Sequence, residues 1–350
     1  MEFKIENINI GDDHPTFFIA EAGVNHNGSL QLAKELIDAA SKAGADSIKF
    51  QTFKAGEIST KHAPKSTYHI ETTGKDSNGS WYDLLKSQEI SEEMHYELID
   101  YCKKKKIIFL STAYSKSSAE FLNRLGVSAF KVASTDTNNI PFISYLSKID
   151  KPIILSTAMS TFDEVKKSVD IIQKYNNRLV VLQCTGNYPA SLEDSNLMVL
   201  KTYKKAFNCL VGYSDHTLEY INPIAATALG SCVYEKHFTL DKNLDGPDHR
   251  MSLDPKELEK TIKIIRETEK SLGNKDKFVL VKEKENRVKL RKSLVAENDI
   301  SAGMIITNDM IGIKRPGGGI LPAEIDNIVG KKTRVFIPKD SLIKYEMLND

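Results

Sequence analysis

Short apolar runs recur along the chain, and each is followed by a longer segment in which polar and apolar residues alternate at helical spacing. The runs are almost continuously apolar, which is typical of parallel strands covered on both faces. They occupy residues 17–20, 47–50, 107–110, 129–132, 152–155, 179–183, 209–212 and 232–235. The pattern predicts eight buried parallel strands.

The segments between the runs predict helices. In residues 30–43, Leu32, Leu36, Ile37 and Ala40 fall on one helical face,. The same reasoning predicts helices over 92–105, 117–125, 161–175, 222–229 and 255–272. Strand–helix units repeated in this way predict an α/β protein of the (β/α)8 barrel class that ends with the last of these helices.

Two segments depart from the strand–helix alternation. Residues 54–88 are polar and rich in Ser, Thr, Lys and Gly, and we interpret them as a long loop over one face of the barrel,. After Gly273 the chain is charged and low in aromatic residues, and short β-like runs then begin at Arg291,. We expect a barrel domain over 1–273, a linker over 274–290 and a small domain over 291–350.

The composition narrows the class of protein. Hydrophobic residues make up 41% and charged residues 27% of the chain, an ordinary globular balance,. A net charge of +1 provides no electrostatic footprint for nucleic acid or an anionic membrane,. The four cysteines lack CxxC spacing and suit core positions in a reducing compartment,. With no signal-peptide pattern and no long apolar run, we expect a cytoplasmic protein.

Polar residues cluster at the predicted strand ends, where the active sites of (β/α)8 enzymes lie. Lys49 and Lys131 stand inside apolar runs, and a buried ammonium group must be paired or bound to a ligand,. An ion pair between strands is the structural alternative. Together with the hydroxyls of Thr112, Ser134 and Ser156, the two lysines favour binding of an anion with more than one negative group,.

Two histidines and two carboxylates extend this candidate site. His216 and His237 end adjacent strands, so their imidazoles could share a metal, although either histidine alone would suit a core or loop role,. Two imidazoles without a cysteine favour an open site completed by water over a closed structural zinc. Glu21 is a general base, a charge stabiliser or a partner of Lys49. Asp248 is a contact for sugar hydroxyls or part of a turn.

The motifs around these residues resemble those of the sialic acid (nonulosonic acid) synthases. The matching runs are Ile-Ala-Glu-Ala-Gly-Val-Asn-His-Asn-Gly at 19–28, Lys-Phe-Gln-Thr at 49–52, Tyr-Ser-Asp-His-Thr at 213–217, Glu-Lys-His-Phe-Thr-Leu-Asp-Lys at 235–242, Gly-Pro-Asp-His at 246–249 and Lys-Arg-Pro-Gly at 314–317. They follow one another in order over almost the whole chain. The resemblance implies a barrel followed by an antifreeze-like (SAF, β-clip) domain. It also implies a domain-swapped homodimer in which the small domain closes over the partner's barrel mouth.

The same resemblance implies a transferase that condenses phosphoenolpyruvate with N-acetylmannosamine to N-acetylneuraminate and phosphate, with C–O cleavage. It implies Glu21 as the catalytic carboxylate with Asp136 assisting. It also implies Mn²⁺, or else Mg²⁺ or Co²⁺, on His216 and His237. The implied phosphoenolpyruvate ligands are Lys49, Thr112, Lys131, Ser134, Ser156 and Ser214. The implied sugar contacts are Gln51, Tyr188 and Asp248, with Arg315 reaching the sugar of the partner subunit.

Four positions depart from the pattern of many bacterial members. Ala113 stands where they have Pro, Ala158 where they often have Gly and Asp136 where they often have Glu. Gly186 replaces a side chain that frequently helps bind phosphoenolpyruvate. These changes bear on sugar choice and efficiency more than on reaction type.

Three rival functions stay open at this stage. The first is a legionaminate-type synthase acting on 2,4-diacetamido-2,4,6-trideoxymannose, whose branch the region 239–249 also resembles. The second is condensation onto an arabinose or erythrose phosphate, which gives no reason for a C-terminal module. The third is a non-catalytic paralogue in coat or polysaccharide assembly.

Overall fold

The computed structural model describes residues 1–65, 70 and 80–349. It divides into two compact units, Met1–Gly273 and Asn274–Asp350. The first unit begins with an antiparallel hairpin of β1 (Glu2–Ile5) and β2 (Ile8–Gly11). No strand was predicted here, because both strands are only four residues long and mix exposed with buried residues.

Eight parallel strands close into a barrel in the order β10-β3-β4-β5-β6-β7-β8-β9. They are β3 (Phe17–Gly23), β4 (Ser47–Thr52), β5 (Ile108–Ala113), β6 (Phe130–Val132), β7 (Ile153–Ser156), β8 (Leu179–Cys184), β9 (Leu210–Asp215) and β10 (Val233–His237). Every predicted run coincides with one of them to within a few residues. The predicted (β/α)8 barrel is therefore confirmed.

Helices pack around the barrel and bury their apolar faces. The helices of the first unit are α1 (Leu30–Ala43), α2 (Ala55–Ile58), α3 (Trp81–Ser87), α4 (Glu92–Lys105), α5 (Lys116–Leu125), α6 (Ile140–Ser147), α7 (Phe162–Gln173), α8 (Val199–Phe207), α9 (Ile221–Ala228) and α10 (Pro255–Leu272). In α1 the Ser29 side chain accepts from Leu32 N at the start, and Gly44 ends the helix at a φ of 85°,. No helix in the described part of the chain is long and apolar enough to cross a membrane.

The segment 54–88 contains α2 and α3, so its interpretation as a loop was wrong for these two stretches. The Ser80 side chain caps α3 by accepting from Asp83 N,. Leu85 of α3 packs with Val24 and Phe53 in a small cluster of its own. Both helices are too short for the periodicity to be recognised. Residues 66–69 and 71–79, which this interpretation also covered, lie outside the described residues.

The second unit begins with an exposed segment that includes α11 (Lys284–Leu290). Its strands β11 (Ser293–Ala296) and β12 (Ile311–Lys314) pair in antiparallel fashion. Isolated bridges such as Ile300 with Ile337 tie the remaining turns together. The core of this unit contains Leu294, Ile306, Ile320, Ile328, Ile343 and Leu348.

Candidate active site

A cavity of about 440 Å³ opens at the carboxyl ends of the barrel strands. It brings together most of the residues that the sequence singled out: Glu21, Lys49, Gln51, Thr112, Lys131, Ser134, Ser156, Tyr188, Ser214, His216, His237 and Asp248. Asp136 is not among the described lining residues. It lies just after β6, where it accepts from Asn139 Nδ2 at 2.8 Å. Arg315 belongs to the second unit and directly follows β12.

Strand alternation explains why these polar residues meet in the cavity. Successive side chains of a strand point to opposite faces. In β4, Lys49 and Gln51 line the cavity, while Phe50 between them packs in the core that the barrel shares with its helices. In β3, Glu21 lines the cavity and its neighbours Ala20 and Ala22 lie in the same core. The cavity-facing positions are thus the ones that can carry charge.

The floor of the cavity is a buried cluster of two lysines and two glutamates. Lys49 Nζ lies 2.7 Å from Glu21 Oε2 and donates to Thr112 Oγ1 at 3.0 Å. Lys131 Nζ lies 3.3 Å from Glu235 Oε1. Burial raises the pKa of Glu21 to about 7, although Lys49 opposes that shift,. The two lysines are therefore ion-paired between strands and also line the cavity. They can bind an anion that enters it.

Glu235 is a residue that the sequence analysis did not include in the site. Its carboxylate joins the two lysines, with Oε2 3.8 Å from Lys49 Nζ, and Ser214 Oγ donates to Oε1 at 3.0 Å. Burial would raise the pKa of Glu235, but Lys131 and Lys49 outweigh it and lower that pKa. Glu235 stands two residues before His237 in β10. Because side chains on one face of a strand recur every two residues, the position of His237 could have revealed that Glu235 also faces the cavity.

The two histidines lie side by side, with ring centroids 5.5 Å apart. The Nδ1 atom of His216 donates to Thr185 O at 2.6 Å, which leaves the lone pair of its Nε2 available,. The Nδ1 atom of His237 has no hydrogen-bond partner among the described residues. Imidazoles that share an ion through metal–nitrogen bonds of about 2.1 Å have centroids roughly 5–6 Å apart. The pair therefore fits a divalent ion.

No group of three or more His, Cys, Asp or Glu side chains in the described chain is arranged to hold a metal. An ion on the histidine pair would therefore take its other ligands from water or substrate, as in an open site. Burial lowers the pKa of His237 well below its ordinary value, with His216 and Lys49 adding to the effect. A neutral imidazole is the form that binds metal.

The predicted sugar-contact residues adjoin the histidine pair. The Tyr188 ring lies 4.2 Å from that of His216, between centroids. Asp248 Oδ2 lies 3.7 Å from His237 Nδ1, and burial raises the pKa of Asp248 to about 6. A Cβ atom at Gly23, whose φ is 54°, would lie in ordinary contact with Gln51 Nε2, Asp248 Oδ2 and Glu21 Oε1, at 3.4–3.5 Å. The turn after β3 therefore passes close to the side chains that meet at this edge of the cavity.

Further lining residues provide hydroxyls, a thiol and a methionine. Ser156 Oγ has no partner among the described residues, and Ser134 Oγ accepts from Ala158 N at 2.9 Å. Cys184, whose role the sequence did not suggest, lies with its sulfur 3.8 Å from His216 Nδ1. All four cysteines are free and buried; Cys102, Cys209 and Cys232 pack in the core as predicted, whereas Cys184 lines the cavity. A Cβ atom at Gly186 would lie 2.9 Å from Met159 Cγ, so Met159 fills the space of the missing side chain.

One wall of the cavity is apolar, and we call it the apolar wall. Its members come from the turn after β3, from the segment 54–88 and its flank, and from the end of β5: Val24, Phe53, Ile58, Trp81, Leu85 and Tyr114. The sequence analysis missed this wall because its residues are distant in sequence and belong to no single periodic segment. A ligand in the cavity would therefore have charge and hydroxyls on one side and hydrocarbon on the other.

Comparison with known proteins identifies the family of this chain. Residues 36–277 match the model of the NeuB family, and residues 291–349 match that of the SAF domain. The N,N'-diacetyllegionaminic acid synthase of Legionella pneumophila is 40% identical over 341 residues, covering 96% of this chain and 95% of that protein. The human N-acetylneuraminate-9-phosphate synthase is 38% identical over 344 residues, covering 97% and 95%.

A solved structure gives the same result. The crystal structure of the N-acetylneuraminic acid synthetase of Leptospira borgpetersenii, in complex with citrate, aligns with a TM-score of 0.72 at 32% identity. The alignment covers 82% of this chain and 95% of that chain. The resemblance found in the sequence motifs is confirmed. The chain therefore belongs to the NeuB family of sialic-acid-type synthases and carries a SAF domain at its C-terminal end.

Proposed function

We propose that this chain condenses phosphoenolpyruvate with the open-chain aldehyde of a 2-acetamido sugar, forming a nonulosonic acid and releasing phosphate. The observation that carries the proposal is the meeting of Lys49 and Lys131 with the His216–His237 pair in one cavity. Phosphoenolpyruvate has a phosphate and a carboxylate, and two buried ammonium groups with nearby hydroxyls suit both groups.

The balance of the reaction defines what the protein must stabilise. The C3 carbon of phosphoenolpyruvate forms a bond with the aldehyde carbon while the C=O π pair moves to the aldehyde oxygen, which leaves positive character at C2. Water adds at C2, and the C2–O bond to phosphate breaks, with the electron pair leaving on phosphate as C2 becomes a ketone. Of the two protons that the water loses, one balances the protonation of the aldehyde oxygen to a hydroxyl and the other leaves with phosphate. A carboxylate held near C2 stabilises the positive charge. We assign this role to Glu21. Asp136, which the family resemblance implies as an assisting carboxylate, is not among the described residues that line the cavity, so we assign it no step.

Residues of this chain hold the substrate groups and the protons. Lys49 and Lys131 would bind the anionic groups, assisted by Ser156 Oγ, whose bonding capacity is unused among the described residues. Glu21, with its pKa raised to about 7, can hold or release a proton near neutral pH,. We propose Mn²⁺, or else Mg²⁺ or Co²⁺, at the histidine pair. When bound there, such an ion supplies Lewis-acid polarisation of the sugar aldehyde.

The apolar wall bears on the choice of sugar. N-acetylmannosamine has hydroxyls at C4 and C6, whereas 2,4-diacetamido-2,4,6-trideoxymannose has an acetamido methyl and a C6 methyl in those regions. Burying one such group against apolar side chains stabilises a complex by about 0.8 kcal/mol. The relative from Legionella supports the same choice. The sequence motifs predicted N-acetylmannosamine as the first choice of sugar. We now rank the diacetamido sugar ahead of it.

A sugar with a 6-phosphate is less favoured, although the human relative is named for a phosphorylated product. Among the described lining residues the lysines are Lys49 and Lys131, and both are engaged by carboxylates at the floor. A second phosphate would therefore meet no lysine of its own there. This also counts against condensation onto an arabinose or erythrose phosphate.

The test is to incubate the purified chain with Mn²⁺, phosphoenolpyruvate and each sugar, and to measure phosphate release and product mass. We expect the highest kcat/KM with the diacetamido sugar. Absence of phosphate release with every 2-acetamido hexose would contradict the proposal and favour the non-catalytic paralogue.

An isosteric substitution tests the apolar wall directly. Val24→Thr adds a hydroxyl to the wall at nearly constant volume. We expect it to reduce the preference for the diacetamido sugar by about fivefold, which corresponds to roughly 1 kcal/mol. Val288→Thr, at a position 58% exposed in the second unit, is the matched control. An unchanged preference in Val24→Thr would mean that the apolar wall does not determine the choice of sugar.

We further propose that the active form is a homodimer in which Arg315 reaches the sugar bound in the partner's barrel. The support is an exposed apolar run, Phe-Val-Leu-Val at 278–281, in which Phe278 is 53% and Val281 is 81% exposed. Exposed apolar patches mark interaction surfaces. A second copy of the chain would bury such a run.

A further inference from the structure

The loop 239–251 follows β10 and carries Asp248 to the cavity, and polar side chains tie this loop to the turn after β3. The side chain of His249 is fully buried and contacts both the start of the loop and the turn after β3. Its Nδ1 lies 2.6 Å from Thr239 Oγ1, and its Nε2 lies 3.3 Å from Asn27 Oδ1. Asn27 Nδ2 donates to Asp245 O at 2.8 Å. The imidazole of His249 thus connects the two ends of the loop with the turn after β3.

The hydrogen-bond partners determine the form of this imidazole. Because Asn27 donates through Nδ2, its Oδ1 faces His249 as an acceptor, so Nε2 of His249 carries the hydrogen,. Its Nδ1 then accepts from the Thr239 hydroxyl at 2.6 Å, the shorter of the two contacts open to that hydrogen, the other being Asp241 O at 3.2 Å. Burial lowers the pKa of His249 to about 4, which agrees with a neutral ring. A neutral imidazole with one donor and one acceptor satisfies both contacts.

A second set of contacts holds the backbone at Asp248 itself. Asn25 Nδ2 donates to Phe238 O at 2.8 Å and contacts Ser252 Oγ at 3.0 Å. The Ser252 hydroxyl donates to the carbonyl oxygen of Asp248 at 2.6 Å. Together with the tie through His249, these bonds fix the main chain on both sides of the Asp248 carboxylate.

Gly246 shows how closely the loop approaches the imidazole. At its φ of 153°, a Cβ atom would lie 2.6 Å from His249 Cδ2 and 2.9 Å from Asn27 Oδ1. These distances are too short for any real carbon contact, so only glycine fits. The loop is therefore shaped around His249.

We propose that His249 is a positioning residue that acts through Asn27 and Thr239 to hold the Asp248 carboxylate at the sugar side of the cavity. The inference rests on the proposed function for the role of Asp248 as a sugar contact. Polar groups that orient a substrate work only when the segment that carries them is fixed, and small displacements are costly. Loss of the tie should therefore affect the sugar more than phosphoenolpyruvate.

The first test is Asn27→Gly. Asn27 is exposed and has a φ of 48°, which glycine adopts without strain, so the variant removes both Asn27 contacts and should fold,. We expect the KM for the sugar to rise by about tenfold, while the KM for phosphoenolpyruvate and the affinity for Mn²⁺ change by less than about twofold. The matched control is Asn208→Gly, an exposed residue at a φ of 46° after α8. Equal rises in both KM values, or no rise, would overturn the proposal.

The second test changes the histidine. His249→Asn keeps an acceptor for the Thr239 hydroxyl and loses the contact with Asn27. We expect the KM for the sugar again to rise more than the KM for phosphoenolpyruvate. Because His249→Asn and Asn27→Gly remove the same contact, the rise in the double variant should be well below the product of the two single rises. Independent, multiplicative effects would show that the two residues do not act through each other.

A readout without turnover separates this inference from the proposed function. Hydrogen–deuterium exchange of residues 239–251 should rise by severalfold or more in Asn27→Gly and stay at the wild-type level in Asn208→Gly. If the wild-type protein accepts none of the sugars but exchange rises, the proposed function fails and the tie stands. Unchanged exchange in Asn27→Gly would overturn the tie whatever the activity.

Discussion

At the scale of single residues, the two histidines of the cavity differ in their hydrogen bonds although they lie side by side. His216 is oriented by the carbonyl of Thr185, whereas His237 has an unused Nδ1 among the described residues and lies near Asp248. Orientation by a carbonyl group is the usual way in which a metal-binding imidazole is fixed. The two rings would therefore contribute differently to the metal ion that we propose at this pair.

We expect His237→Ala to lose Mn²⁺ binding and to reduce metal-dependent turnover by at least about 100-fold, because one imidazole holds an ion weakly. The melting temperature should change by only a few degrees, since the ring borders a cavity and not the core. Electron paramagnetic resonance of Mn²⁺ and thermal unfolding provide the two measurements. His14→Ala, in the N-terminal hairpin region, is the control. Wild-type Mn²⁺ affinity in His237→Ala would refute the assignment.

A third histidine predicts a dependence of stability on pH. His26 is fully buried and its Nδ1 accepts from Gly28 N at 3.0 Å. Burial lowers its pKa to about 4, with smaller effects from His95 and His249. The unfolded chain binds a proton at His26 below pH about 6.5, whereas the folded chain does so only below about 4,. The contribution of neutral, buried His26 to the free energy of unfolding is therefore fully present above pH 6.5. It is lost as the pH falls from about 6.5 to about 4,.

The expected loss is on the order of 3 kcal/mol across the window. His26→Asn keeps an acceptor for Gly28 N and should flatten the fall in stability between pH 6.5 and 4. Urea unfolding at several pH values measures the effect. His62→Asn, at an exposed position, should retain the wild-type slope. A slope that persists unchanged in His26→Asn would mean that other groups cause it.

At the scale of elements, a buried ion pair joins β9 to β10 just before the two site histidines. Asp215 and Lys236 are direct partners in the strand register, and Lys236 Nζ lies 2.7 Å from Asp215 Oδ2. Tyr234 also donates to Oδ2 at 2.5 Å, and Thr217 N donates to Oδ1 at 2.9 Å. Since a slip of one residue would reverse the faces of a strand, this network keeps the histidines directed at the cavity.

Lys236→Met should destabilise the protein by about 3–5 kcal/mol, because it leaves the Asp215 carboxylate buried without its cation. Lys166→Met breaks the exposed pair of Lys166 with Asp170, which has a separation of 2.6 Å, and should cost less than about 1 kcal/mol,. Urea unfolding of both variants tests this contrast. Equal losses in the two would show that burial adds nothing to the pair. Lys236→Met combined with Asp215→Asn should recover part of the loss.

At the scale of the whole molecule, the chain consists of a barrel unit and a SAF unit, and the residues proposed to meet the sugar are divided between them. The cavity contains Asp248 and Tyr188, whereas Arg315 belongs to the second unit. A homodimer with a two-fold axis would create two equivalent sites, each built from both chains. In the homodimer that we propose, activity would depend on assembly.

Mixing two inactive variants tests that arrangement. His237→Ala lacks a complete barrel site and Arg315→Ala lacks the arginine, so a mixed dimer has one barrel in which both are intact. After unfolding and refolding together in equal amounts, we expect about a quarter of wild-type activity, since half of the dimers are mixed and each has one working site. Each variant refolded alone is the control. Absence of recovery, with dimers present by light scattering, would mean that Arg315 does not act on the partner's site.

The amino-acid sequence by itself determined the barrel and most of the positions that line its cavity. Apolar runs identified the strands, and the rule that (β/α)8 active sites lie at the carboxyl ends of the strands singled out Lys49, Lys131 and His237,. These inferences succeed because a buried strand and its end are recognised from local sequence alone. The motif at 235–242 also contained Glu235, which the two-residue period of a strand would have placed in the cavity with His237.

Only the tertiary structure decided which of these side chains touch and what they do to one another. Closure of the barrel brings β10 beside β3, so Glu235 meets Lys49 and the loop after β10 meets Asn27. It also leaves Asp136 outside the described lining and forms the apolar wall from distant segments. Burial in these contacts, and not residue type, lowers the pKa of His249 and raises that of Glu21. Periodicity fixes the direction of a side chain, whereas its neighbours depend on segments that lie far apart along the chain.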